Sequence, residues 1–190
     1  MSASEPASPD VYARTPRRLH WWTVALVAIM LPLGFAMDYR GNHLNIWDGV
    51  TDNMYSAHKL IGFVVLWLIV YRLYVRLRYG APPDEPTLEP WQKLASHVTH
   101  WSLYALLLLV PIMGWLGVSL YGARTVFNVV SLPPLASPDQ AAATTVLAVH
   151  GLLAKLMAFL VVAHIGAAMF HHVIRKDNVL RRMLPTLPRR

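Results

Sequence analysis

The sequence predicts an all-α integral membrane protein: a four-helix bundle with both ends of the chain on the cytoplasmic side. Three observations predict it. Charged residues make up only 14% of the 190 residues while hydrophobic ones reach 55%, whereas a soluble domain carries about 25% charged residues. Four apolar runs are each long enough for a span. The basic residues gather at alternate ends of those runs.

Residues 1–16 are polar and rich in Ser, Pro and Ala. They lack the apolar stretch of a signal peptide and read as a disordered cytoplasmic tail. The remainder, 17–190, reads as one transmembrane domain. Its first run is roughly His20 to Met37, and the second about His58 to Val75. The third spans about His97 to Leu120 and the fourth about Thr144 to Ile174. Crossing ~30 Å of hydrocarbon takes about 20 helical residues, so the first two lie near the lower limit. Pro32 and Pro111 fall inside runs, which is tolerable where a neighbouring helix covers the kink. The segment from Arg78 to Trp91 is proline-rich and too polar to span. The segment from Tyr121 to Ala143 has room for a short periplasmic helix.

Charge sets the orientation. Arg14, Arg17 and Arg18 precede the first run. Arg72, Arg76, Arg78 and Lys93 lie between the second and third. Arg175, Lys176, Arg181, Arg182, Arg189 and Arg190 follow the fourth. These thirteen basic residues share one side, against Arg40, Lys59, Arg124 and Lys155 on the other. Cytoplasmic loops are the basic ones, so both termini are expected in the cytoplasm. Trp21, Trp22, Trp47, Trp91 and Trp101 fall near span ends, as an aromatic belt requires. A net charge of +7 distributed in this way reflects topology and calls for no nucleic acid partner.

The chain has no cysteine. That excludes disulfides, thioether-linked haem, iron–sulfur clusters and thiolate ligands. It does have nine histidines. His20 opens the first run at cytoplasmic depth and His58 opens the second at periplasmic depth. His150 and His164 share the fourth. Fourteen residues at about 100° fall ~40° short of four full turns, so these two lie on one helix face, about 21 Å apart. His20 can therefore meet His164, and His58 can meet His150. Two imidazoles facing each other could clamp one haem iron from both axial sides. Gly62, Gly151, Gly166, Ala167 and Ala168 lie near these histidines and leave room for a flat ring. A histidine at a helix end is more often an interfacial structural residue, whereas one at membrane depth is a functional candidate by default. Spacing alone leaves both readings open.

The other polar groups carry weaker signals. His97 and His100, at the start of the third run, could meet a haem propionate or a quinone, or pack at the interface. His171 and His172 lie two turns beyond His164, and His171 is a candidate quinone contact. His43 sits in a polar loop. Lys155 either snorkels to the periplasmic interface or draws in an anion.

At these positions the sequence resembles the bacterial cytochrome b561 family. The segments that carry the resemblance are RRLHWW, YSAHKLIG, LASHVTHWSLYALLLLVPIMG, HGLLAKLMAFLVVAH and HHVIRKDNVLRRMLP. Within the family, MDYRG and the KDN-containing end look closest to the superoxide oxidase branch. The resemblance covers nearly the whole chain after the tail. It implies two haem b groups, with His20 and His164 as axial ligands of a cytoplasmic-side iron and His58 and His150 of a periplasmic-side iron. It also implies an electron path from periplasmic superoxide to ubiquinone. Arg40, Lys59, Arg124 and Lys155 are then candidates for attracting the superoxide anion. Asp38, Asp48, Asp52 and Asp139 balance them in number, so net charge predicts no strong pull. Two other functions compete: a haem-b anchor subunit serving a separate dehydrogenase, and a transporter or purely structural bundle.

Overall fold

A computed structural model describes residues 11–187. Four helices dominate: α1 Arg14–Asp38, α2 Gly49–Tyr79, α3 Pro90–Tyr121 and α4 Gln140–Phe170. Each is long and apolar enough to cross a membrane. α1, α2 and α3 exceed the apolar runs that announce them, because polar residues continue each helix into the interfacial zone, and α4 starts four residues before its run. α1 begins at Arg14, inside the segment expected to be a tail; residues 1–10 lie outside the described residues. α1 and α4 each end in a wider π-helical turn, Tyr39–His43 and His171–Arg175.

The helix ends follow from local chemistry. Asp48 caps α2 by accepting the Thr51 backbone N–H at 3.0 Å. The Arg40 guanidinium donates to Asp48 at 2.6 Å and to the Thr51 hydroxyl at 2.9 Å, tying the end of α1 to the start of α2. The Thr51 N–H and then Arg40 hold the Asp48 carboxyl below the usual carboxylate range. Glu89 and Gln92 form a capping box at α3, with Pro90 in the first turn. Asp139 caps α4 through the Ala142 N–H at 3.0 Å. α3 stops at Gly122, whose φ of 81° suits a residue without Cβ.

The α3–α4 connection differs from expectation. In place of a short helix it folds into a hairpin, β1 Thr125–Val126 and β2 Val130–Ser131. Phe127 and Asn128 adopt positive φ in its turn, and Val126 is 1% exposed. The β-branched residues at 125, 126, 129 and 130 favour this pairing over a helical turn. The Lys59 ammonium reaches across from α2 to the carbonyls of Ala123 and Thr125 and fixes the hairpin over the bundle.

Packing is uneven. α3 packs most extensively on α4, α1 on α2, and α2 on α3, whereas α4 stands off from α1 and α2. The buried core comprises Val27, Ile69, Leu106, Leu107, Val110 and Met157. Most remaining apolar side chains face outward, as a lipid-exposed surface allows. The described chain ends lie together at one end of the bundle, where the Trp21 indole N–H donates to the Met183 carbonyl at 3.2 Å.

The close α3–α4 contact centres on Gly117, where an added Cβ would come within 2.4 Å of Leu147 Cδ2 and 2.8 Å of its Cγ. We predict that Gly117→Ala destabilises the bundle by about 1–3 kcal/mol through overpacking. Thermal unfolding in detergent measures this, and an unchanged or raised midpoint would contradict the close approach.

Candidate haem sites

The cavity between α4 and the α1–α2 pair has a volume of about 1040 Å³. His58 and His150 line it from opposite walls. Their ring centroids are 6.1 Å apart with planes at 88°. His150 Nδ1 lies 2.8 Å from the Val110 carbonyl. A carbonyl can only accept, so Nδ1 carries the proton and the Nε2 lone pair is left for a metal. Two glycines make space for these rings. A Cβ at Gly114 would come within 3.0 Å of the His150 ring, and one at Gly34 within 3.0 Å of the His58 ring.

The second pair lies nearer the chain ends. The His20 and His164 centroids are 6.3 Å apart with planes at 76°. His100 adds a third ring, 5.3 Å from His164. Arg72 Nη2 lies 2.9 Å from His20 Nδ1, and its guanidinium carbon is 5.2 Å from the Tyr104 ring centre.

These pairs fit an axially ligated iron. A ligating imidazole nitrogen sits about 2 Å from its metal and ~1 Å from its own ring centre, so two axial rings place their centres about 6 Å apart. Both observed separations match. His58 Nδ1 is buried without a hydrogen-bond partner, an arrangement that costs free energy unless a ligand reorganises the ring. At His20 one adjustment is required. A ring accepting from Arg72 at Nδ1 holds its proton on Nε2, so Nε2 can bind iron only if that contact is exchanged.

The other expected residues are dispersed. His171 is buried and its Nδ1 lies 2.6 Å from the Asp177 carboxylate, away from the histidine pairs. His97 sits 3.2 Å from Asp84. His43 is exposed in the π-turn closing α1, 3.7 Å from Asp38. The four basic residues do not form one patch: Arg40 is paired with Asp48, and Arg124 donates to the Leu132 carbonyl. Lys59 and Lys155 line the cavity, but so do Asp38 and Asp52.

Sequence reasoning missed Arg72, which it counted as a loop charge. The signal was there. Arg72 lies 14 residues after His58, the same interval that separates His150 from His164, so it shares the His58 face of α2.

The prokaryotic cytochrome b561 family profile matches residues 11–186. The chain belongs to that family. It is 32% identical over 178 residues to cytochrome b561 homolog 1 of Escherichia coli, covering 92% of this chain and 97% of that protein. It is 30% identical to the probable superoxide oxidase CybB of Yersinia pestis, over 88% of this chain and 92% of the relative. Cytochrome b562 of Cereibacter sphaeroides is 28% identical over 91% and 94%. The protein is thus a multi-pass bacterial inner-membrane b-type cytochrome of an electron-transfer family.

If the glycines clear space for ligand rings, Gly114→Val should displace His150 and lower the haem-to-protein ratio of the purified cytochrome. Pyridine haemochrome absorbance measures that ratio, and an unchanged value would contradict the assignment.

Proposed function

We propose that this cytochrome holds two haem b groups and carries electrons from periplasmic superoxide to ubiquinone. His20 and His164 would ligate the haem nearer the chain ends, and His58 and His150 the other. The observation carrying this reading is the pair of histidine couples, 6.3 and 6.1 Å between centroids, at two levels of one bundle. The thirteen basic residues that the sequence puts on one side of the spans support a cytoplasmic location for the first level and a periplasmic one for the second. The likeness to a probable superoxide oxidase supports the choice of donor.

Bound haem supplies reversible one-electron chemistry. The chain's own residues do the rest. Histidine pairs that held the irons would leave no open coordination position, so superoxide would give up its electron without binding iron. Lys59 and Lys155 line the cavity beside Asp38 and Asp52, so any pull on an anion there is local to the ammonium groups. Two superoxide anions each lose one electron and leave as dioxygen. One ubiquinone takes both electrons and two protons to become ubiquinol.

A superoxide pulse on the purified protein should reduce the haem faster than superoxide dismutates, with ubiquinol following when quinone is supplied. An intact haem spectrum without that reduction would leave the chain as an electron-transfer anchor for a separate dehydrogenase. His164→Ala and His150→Ala should each lower the haem content from about two per chain to about one. Retention of two bis-histidine spectra in either variant would refute the pairing. Lys155→Gln should slow haem reduction by superoxide about 2- to 10-fold at low salt, with the difference shrinking at high salt. Equal rates at both ionic strengths would remove Lys155 from the entry route.

A further inference from the structure

An open groove of about 600 Å³ lies where the start of α1 meets residues 183–186. Arg14, Arg17 and Arg18 line one wall together with Trp21 and Trp22, and residues 183–186 form the other. No carboxylate lines it among the described residues. The two walls are joined by the Trp21 bond to the Met183 carbonyl and by the Tyr12 N–H, which donates to the Arg182 carbonyl at 3.3 Å.

Three arginines line this groove with no acidic partner among the described residues, in contrast to Arg40, which is neutralised by Asp48. Arg17 Nε is shielded from solvent and has no hydrogen-bond partner among the described residues. A buried charged donor left unsatisfied is expensive, and the group that satisfies it is an anion. The site also has a definite depth. Arg17 and Arg18 lie just before the first apolar turn of α1, and the exposed indoles of Trp21 and Trp22 sit where aromatic side chains meet lipid headgroups. Met183, Leu184 and Pro185 supply an apolar floor beside the charges. A ligand that matches all of this has a phosphate for the arginines and acyl chains for the apolar wall.

We propose that this groove is a binding site for the headgroup phosphate of an anionic phospholipid, which clamps the start of α1 to the C-terminal segment. Basic pockets beside membrane helices bind such headgroups through the same combination of charge and interfacial depth. The site is independent of the electron donor and of the haem pairs.

The test is native mass spectrometry of the delipidated, haem-loaded full-length protein, titrated with phosphatidylglycerol or phosphatidylcholine. Wild type should retain phosphatidylglycerol in preference to phosphatidylcholine. Arg14→Gln/Arg17→Gln should lower phosphatidylglycerol retention about tenfold or more. Lys93→Gln removes a charge outside the groove and should leave retention unchanged. An unaltered haem spectrum reports that each variant is folded. Arg17→Lys, which keeps the charge, should retain more lipid than Arg17→Gln. Three results would overturn the proposal: equal retention of the two lipids, equal loss in Lys93→Gln and the double variant, or displacement of the lipid by inorganic phosphate at matched concentration. The last would identify the groove as a site for free phosphate.

Discussion

An imidazole inside a membrane needs both a polar partner and room for its ring, and the architecture is organised around those two requirements. The solution repeats on all four helices at one interval. His20 and Gly34 are separated by 14 residues on α1, His58 and Arg72 on α2, His100 and Gly114 on α3, and His150 and His164 on α4. Fourteen residues bring a helix back to nearly the same face about 21 Å further on. Each helix therefore presents one group at each of two levels. The contacts agree with that division. His20, Arg72, His100 and His164 meet at one level, and Gly34, His58, Gly114 and His150 at the other.

Between the levels the bundle is sealed. The residue midway along each interval is Val27, Val65, Leu107 or Met157, and all four are buried. Val27, Leu107 and Met157 form the core with Ile69, Leu106 and Val110. An apolar plug of this kind excludes water from the middle of the bundle, and the cofactor-sized cavity opens on its His58–His150 side. It also accounts for the stand-off of α4. The plug is packed largely by α3, so α4 can hold its histidines away from α1 and α2 without losing its anchorage. Stability and spacing are carried by different faces of the same helix.

The parts of this arrangement that depend on depth and period were legible in the sequence. Apolar runs gave the four spans, and counting residues put His20 with His164 and His58 with His150 at matched depths. The parts that depend on what faces a residue across a gap were not. Gly34 and Gly114 matter because histidine rings lie over them, whereas Gly62 and Gly151, picked out for their closeness in sequence to the histidines, line the cavity with no ring over them. At Gly151 and Gly166 an added Cβ would meet nothing within 4 Å. Arg72 was missed because a charge near the end of an apolar run reads as a topology signal. Its helix continues to Tyr79, which leaves it well inside the bundle against His20 and Tyr104. The hairpin after α3 was hidden because its two strands are only two residues each.

The two levels differ in charge, and the difference bears on the direction of electron flow. Glycines flank the histidines of the level nearer the hairpin, where the cavity is roomy and its wall mixes Lys59 and Lys155 with Asp38 and Asp52. At the level nearer the chain ends, His100 stands on α3 where the other level has Gly114, and Arg72 stands on α2 where the other level has His58. A fixed positive charge in surroundings of low dielectric stabilises an added electron far more than it would in water. Arg72 stays protonated under any physiological condition, so its field is permanent. On the proposed reading, an electron that enters at the glycine level gains stability by moving to the arginine level. The contact between Arg72 and His20 would be exchanged when Nε2 ligates iron, but the guanidinium is held in place by the Tyr104 ring as well. The charge therefore remains near the same site after ligation. Directionality in this bundle then arises from which residue occupies one of two equivalent positions on α2: an imidazole at the entry level, a guanidinium at the exit.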